Sequence, residues 1–378
     1  MASRGGGGKS MIQLRTSADS IPKPVLGSPA PWFKAHVLDV NARYSFHTVA
    51  GRVVVLFFMG SAATPEVKSA HDILIGGADR FDDRQCCFFG ITTDPDDQPA
   101  DRIETRLPGI RYILDDDRAV SAVYGASRAD SVLYEPYVMI LDRQLRVAGR
   151  FLIRDMHAAL SLADKLIGEG TPEDWAPVLL VPRVFDQATC KTLIDIYDAE
   201  GGEDSGFMRE VDGKTVSIID HGHKRRSDVT IKDQELCKML SARVNHCLRP
   251  IIHRAFNFEA TRMERYIVAC YEASVGGHFR AHRDNTTRGT AHRRFAVTIN
   301  LNDDFDGGEL RFPEFGTRTY RPPPGGAIVF GCGLLHEATP VSRGRRYAFL
   351  PFLYDDAAAA QREANNQYLG EGVGAYRQ

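Results

Sequence analysis

Residues 276–285 read Gly-Gly-His-Phe-Arg-Ala-His-Arg-Asp-Asn, which puts His282 and Asp284 one residue apart. On an extended strand, positions i and i+2 point to the same side, so this imidazole and carboxylate project together. A second imidazole, His336, follows after a long β-rich stretch. Two histidines and one carboxylate on one side of a metal leave positions open for a cosubstrate and oxygen, which suits non-haem Fe(II). An isolated His-x-Asp is weak evidence, because most such histidines are ordinary surface or core residues. It gains weight from Arg346, ten residues after His336, which opens the apolar run Tyr347-Ala348-Phe349-Leu350-Pro351-Phe352. A guanidinium at the mouth of an apolar strand can hold a dicarboxylate by a two-pronged, charge-assisted contact.

Three further motifs stand in order around this stretch. They are Asp306-Gly307-Gly308-Glu309-Leu310-Arg311-Phe312, then Pro324-Gly325-Gly326-Ala327-Ile328-Val329-Phe330, then the segment from His336 to Arg346. With these four motifs, residues 262–354 resemble the Fe(II)/2-oxoglutarate-dependent dioxygenases of the prolyl-4-hydroxylase-like branch. The resemblance implies a double-stranded β-helix (jelly roll) with buttressing helices. It implies Fe(II) on His282, Asp284 and His336, and 2-oxoglutarate with its far carboxylate on Arg346. It further implies O2 as oxidant, ascorbate (vitamin C) as reductant, release of succinate and CO2, and hydroxylation of an unactivated C–H bond. Related halogenases carry a small residue in place of the carboxylate, so Asp284 favours hydroxylation.

Other residues near these motifs are weighed individually. Arg343 and Arg345 lie beside Arg346, but strand alternation puts Arg345 on the opposite face. Tyr271 is the candidate for a cosubstrate-binding tyrosine before the Gly-Gly, although two extra residues separate it from Gly276. Thr298 and Asn300 share one strand face and could line the pocket. His278 and His292 are read as surface or supporting residues rather than reserve ligands, and Cys332 as packing.

Residues 22–167 alternate strand and helix patterns, which predicts an α/β layer sandwich. The run Arg52-Val53-Val54-Val55-Leu56-Phe57-Phe58 is continuously apolar, as for a strand buried on both faces. A helix is expected over 66–78, a second buried strand over 86–92, a short helix over 120–124 and a strand over 137–141. Gly27-Ser28-Pro29-Ala30-Pro31, the strand leading to Thr64-Pro65, Leu114-Asp115-Asp116-Asp117 and Tyr124-Gly125 resemble a peroxiredoxin, a thioredoxin-fold thiol peroxidase. That family places a thiol two residues after the Thr-Pro, at a helix N-terminus where the dipole lowers its pKa. Here the position is Val67, and valine forms no thiolate. Cys86 and Cys87 open an apolar strand, where cysteine is usually a small buried hydrophobe. A scaffold that lost its chemistry is therefore expected, with a bifunctional peroxidase–oxygenase and a non-catalytic binding module as alternatives.

The resulting division is a flexible leader (1–21), a thioredoxin-like domain (22–167), a Gly/Pro/acid linker (168–178), a mainly β oxygenase domain (179–356) and a tail (357–378). The leader lacks an apolar core, so it is not a signal peptide. Helices are expected over 188–199, with Asp186 as N-cap, and over 234–248. Residues 201–227 are expected to be a solvated loop or lid, and 357–378 a surface helix with a frayed end. A length of 378 residues fits two domains. Hydrophobic content of 43% and a net charge of −2 fit a soluble protein and give no electrostatic reason to expect nucleic acid or a membrane. Seven scattered cysteines argue against a disulfide framework and for a reducing cytoplasm. The expected partner is a small-molecule, peptide or protein substrate, and a homodimer through the first domain stays open.

Overall fold

The computed structural model describes residues 23–127, 133–170 and 173–376. The expected leader lies outside the described residues, as do residues 171 and 172 of the expected linker. The chain forms two compact units. One comprises the described residues up to His47 together with Arg52–Gly168, the other Thr48–Gly51 together with the residues from Glu169 onward.

The first unit runs β1 (Lys34–Val37), β2 (Asn41–Ser45), β3 (Val53–Gly60), α1 (Pro65–Gly76), β4 (Cys86–Thr92) and β5 (Ile110–Leu114). It continues with α2 (Ala119–Val123), β6 (Tyr137–Leu141), β7 (Val147–Leu152) and α3 (Met156–Gly168). Its seven strands form one mixed sheet in the order β2-β1-β5-β4-β3-β6-β7. Every residue of β3 and β4 is buried, which is why their sequences do not alternate. Val67 and Leu74 of α1 and Ala159 and Ala163 of α3 pack on Val53, Val55 and Phe57. Aromatic rings cover the opposite face, where Phe58 stacks on Tyr137 at 4.8 Å.

The second unit runs β8 (Val178–Val181), α4 (Gln187–Glu200), β9 (Glu203–Asp204), β10 (Phe207–Val211), β11 (Lys214–Ile218), β12 (Lys224–Arg225) and β13 (Ser227–Thr230). Then come α5 (Gln234–Cys247), α6 (Arg249–Phe256), β14 (Arg262–Glu264), β15 (Ile267–Glu272), β16 (His278–His282) and β17 (Phe295–Asn300). The short strands β18 (Asp306–Gly307), β19 (Leu310–Arg311), β20 (Thr319–Tyr320), β21 (Ala327–Gly331), β22 (His336–Ala338) and β23 (Val341–Arg343) follow. The chain closes with β24 (Arg345–Phe349), β25 (Phe352–Tyr354) and α7 (Asp356–Ala364). One sheet is ordered β12-β16-β22-β19-β20, the other β14-β25-β17-β24-β15-β13-β9, with β21 and β8 branching from β17. The two sheets pack together through Leu310, Phe312 and Tyr320 against Ile328, Phe330 and Phe352. A second contact joins Phe279 and Ala338 to Tyr271. The helices bury Leu193, Leu240, Val244 and Ile252 against the outer face of the larger sheet. Asp186 caps α4 by accepting the Thr189 N–H at 2.8 Å.

Two expectations need correction. Residues 201–227 are not a loop, because β10 and β11 form a hairpin in register from Phe207↔Ile218 to Val211↔Lys214. Its turn is Asp212-Gly213 with both φ positive, the chemistry of a two-residue hairpin turn, and that Asp-Gly signal stood in the sequence. The C-terminal stretch does begin with the expected surface helix, α7, buried along one side, but the described residues after it are not loose. Ala358 and Ala359 are fully buried, and Leu369 bridges to Thr215 on the hairpin. Gly370 donates its N–H to the Thr215 carbonyl at 2.8 Å, and Lys214 Nζ donates to the Gln367 carbonyl at 2.6 Å.

Candidate metal and cosubstrate site

The structure brings His282, Asp284 and His336 together, although 51 residues separate the last two, 285 to 335 inclusive. His282 ends β16 and His336 begins β22, and the two strands pair with His282 opposite His336. A register shift between Phe279 and His282 turns the chain so that Asp284 follows on the same side. His282 Nε2 lies 3.5 Å from one Asp284 oxygen, and His336 Nε2 lies 3.3 Å from the other. All three donor atoms fall within 4.8 Å of one another.

Local hydrogen bonds decide the tautomers. His282 Nδ1 donates to the Arg280 carbonyl at 2.7 Å, and His336 Nδ1 to the Leu334 carbonyl at 3.0 Å. Each ring therefore turns its Nε2 toward the centre, the nitrogen left to bind a metal when Nδ1 carries the proton. Phe279 stacks on His282 at 3.5 Å and Phe330 meets His336 edge-on at 4.6 Å, which fixes both rings. Burial lowers the His282 pKa, His336 beside it lowers it further, and the imidazole is pushed down to about 4. Burial alone would raise the Asp284 carboxyl, but His336 and His282 outweigh it and hold it well below the usual range. A neutral His282 imidazole and an ionised Asp284 carboxylate are thus in the protonation states a divalent cation needs. The donor set and its convergence fit a single ferrous ion.

Arg346 also stands where the strand pattern puts it. It is 2% exposed, whereas Arg345 points outward and pairs with Glu272 at 3.3 Å. Arg343 pairs with Asp306 at 2.6 Å on the surface. Arg346 donates to Asn300 Oδ1 and to Thr298 Oγ1, each at 3.2 Å, and its guanidinium lies 5.3 Å from the Tyr271 ring centre. Tyr271 and Arg346 are cross-strand partners, so the two extra residues after Tyr271 do not move it away. Burial, with Arg226 nearby, lowers the Arg346 pKa against the pull of Tyr271 and Glu309, and the cation forms no ion pair among the described residues. An unpaired buried cation is costly and favours an anionic ligand.

Gly308 belongs to the same site. Its φ is +72°, and a side chain there would meet Val341 at 2.8 Å and Arg346 at 3.1 Å. The glycine lets the backbone pass directly against the aliphatic stem of Arg346.

Sequence reasoning missed several neighbours. His223 sits over Phe279 at 5.6 Å and 6.5 Å from His282, while its neighbour His221 pairs with Asp204 at 2.5 Å. Lys224 is buried over Phe279 and donates to Ser205 Oγ at 2.7 Å and the Gly206 carbonyl at 2.6 Å. Burial, with Arg226 beside it, pushes Lys224 down to about 5. Arg226 is buried against Asp228 at 2.6 Å and flanks Tyr271 on its ring at 5.8 Å. The basic run 224–226 was legible in the sequence, but nothing in it showed that two of its three residues turn inward. His292 lies away from the centre, 3.2 Å from Glu264. His278 bonds the Gly276 carbonyl at 2.8 Å.

In the first unit, Val67 is fully buried on α1. Cys86 and Cys87 are also fully buried. Burial drives both thiols upward, Cys87 to about 12, so neither is a thiolate at neutral pH.

This centre offers the donor set of a two-histidine, one-carboxylate metal site. Comparison with known proteins narrows the class. Residues 266–354 match the profile of the 2OG-Fe(II) oxygenase superfamily, and residues 26–150 match that of the AhpC/TSA family. The C-terminal unit thus carries a 2OG-Fe(II) oxygenase domain, and the first unit an AhpC/TSA-type domain. PKHD-type hydroxylases of Synechococcus sp. strains JA-2-3B'a(2-13) and JA-3-3Ab are each 33% identical over 89 residues, or 22% of this chain. The matched segment spans 39% of the length of these relatives.

Among solved structures, a prolyl hydroxylase in complex with a hypoxia inducible factor oxygen degradation domain peptide, from Trichoplax adhaerens, is 20% identical. It covers 49% of this chain and 86% of its own, with a TM-score of 0.40. A Pseudomonas putida prolyl-4-hydroxylase is also 20% identical, covering 47% of this chain and 92% of its own, with a TM-score of 0.35. No helix among the described residues is long and apolar enough to cross a membrane.

Proposed function

We propose that the second unit is an Fe(II)- and 2-oxoglutarate-dependent hydroxylase acting on an unactivated C–H bond, built on a double-stranded β-helix. The observation that carries this is the convergence of His282 Nε2, Asp284 and His336 Nε2, together with a buried Arg346 that forms no ion pair among the described residues. The 33% identity to hydroxylases over the matched segment supports it.

His282, Asp284 and His336 would hold the iron. Arg346 would take the far carboxylate of 2-oxoglutarate, with Thr298 and Tyr271 beside it and Asn300 orienting the guanidinium. When bound, iron and 2-oxoglutarate supply oxygen activation: one oxygen atom goes to succinate as CO2 is lost, and the other enters the substrate C–H bond. The chain supplies orientation and dryness. Phe279 and Phe330 hold the histidine rings and keep water from their flanks, and the buried Arg346 recognises charge without solvent competition. Asp284 fills the carboxylate position, which favours oxygen transfer over halide transfer. The first unit acts as a scaffold without thiol chemistry, because Val67 and the buried Cys86 and Cys87 offer no thiolate.

The test is succinate release from 2-oxoglutarate with Fe(II) under air. His282→Ala and Asp284→Ala are expected to abolish it, and full activity in either variant refutes the ligand assignment.

A further inference from the structure

Arg283 sits between two of the proposed ligands, yet its side chain is only 2% exposed. A free guanidinium there would compete with a metal for the adjacent Asp284 carboxylate. It is engaged elsewhere. Nη2 donates to Glu314 Oε1 at 2.8 Å and Nη1 to Glu314 Oε2 at 3.0 Å, a two-pronged pair. Nη1 also donates to the Gly333 carbonyl, and Glu314 Oε2 also accepts the Leu335 N–H at 3.0 Å. Gly333 to Leu335 is the turn that delivers His336, and its Leu334 carbonyl holds the His336 tautomer. The Asp284 N–H donates to the Cys332 carbonyl at 3.0 Å, closing the same ring of contacts from the other side. Glu314 is itself fixed, since it lies in the single turn Pro313–Phe315 directly after Phe312, which is 1% exposed.

We propose that the Arg283–Glu314 pair is a positioning clamp that locks the turn before His336 onto the His-Arg-Asp segment, setting the separation of Asp284 and His336 for the metal. This rests on the reading of these side chains as metal ligands. Arg283 and Glu314 are positioning residues, because neither reaches the ion. A buried ion pair contributes little net stability over an apolar pair of the same volume, since desolvation offsets its attraction. Geometry is what it supplies, and partners outside the ligand set typically set metal affinity by about 10- to 100-fold.

The test compares the full chain with Glu314→Gln and with the double variant Arg283→Met/Glu314→Met. Anaerobic Fe(II) titration by calorimetry is read beside thermal melting. Wild type is expected to bind Fe(II), and Glu314→Gln to bind it about 10- to 100-fold more weakly. The double variant removes both buried charges, so it is expected to melt near wild type while keeping the weakened affinity. It also keeps the test valid if Glu314→Gln does not fold. Wild-type Fe(II) affinity in the double variant overturns the clamp, because the pair then only balances charge. Failure of wild type to take up Fe(II) overturns the metal assignment beneath it, a different result.

Discussion

Replacing Arg346 by Met is expected to separate stability from cosubstrate affinity. In the folded chain the guanidinium is 2% exposed and its two hydrogen bonds go to the neutral oxygens of Asn300 and Thr298. Taking such a cation out of water costs several kcal/mol, and two hydrogen bonds to a charged donor return roughly 1.5–3 kcal/mol each. The two contributions nearly cancel, and methionine adds apolar packing against Tyr271. Without ligand, Arg346→Met should therefore melt close to wild type or slightly above it. The ligand side behaves differently. A carboxylate that loses its buried cationic partner costs about 2–5 kcal/mol, which at 1.36 kcal/mol per tenfold is roughly a 30- to 5,000-fold loss of affinity. The assay is calorimetric titration of 2-oxoglutarate into anaerobic protein loaded with Mn(II), alongside thermal melting without ligand. Arg345→Met is the control, since Arg345 points to solvent and pairs with Glu272. Its 2-oxoglutarate affinity should match wild type. Unchanged affinity in Arg346→Met refutes the reasoning. So does a loss of several kcal/mol of stability without ligand, because the arginine would then be satisfied by the fold alone.

Acidification should expose the buried network at Asp228. Burial alone would raise this carboxyl, but Arg226, Arg265 and Lys224 outweigh it and hold it at about 2, below the ordinary 3.8. A depressed folded-state value means stability that is present above 3.8 and lost as pH falls through 2. The gap is worth on the order of 2 kcal/mol, so Asp228→Asn should be less stable at neutral pH and its stability should fall less between pH 4 and 2. Parallel pH–stability curves for the two proteins would contradict this, and denaturant melts at stepped pH measure it. In the first unit, Cys86→Ser and Cys87→Ser should leave hydrogen peroxide consumption at background, as in wild type. Native protein should also react with a thiol reagent at these two positions only after unfolding. Peroxide turnover that disappears in either variant would restore a thiol peroxidase to the protein.

Much of the centre was legible because its information is local. The spacing of His282 and Asp284 marks them as a pair projecting to one side, although the strand itself ends at His282, and Arg345 and Arg346 sort to opposite faces by alternation. The run from Val53 to Phe58 announces a doubly buried strand because neither face needs polar residues. The Thr-Pro-Glu-Val segment ending at Val67 shows a missing thiol at once, since chemistry that needs sulfur cannot survive its absence. Interactions between distant segments lay beyond the sequence. Only pairing of β16 with β22 sets His282 opposite His336, and only the fold brings Glu314 to Arg283 and turns Lys224 and Arg226 inward. The tail from Asn365 to Tyr376 looked loose because its composition is polar and glycine-bearing. Its order comes from the hairpin it binds, through Leu369 and Thr215, a partner more than 150 residues away. Periodicity reports which side of an element faces inward; which distant segment waits there is decided by packing of the whole chain.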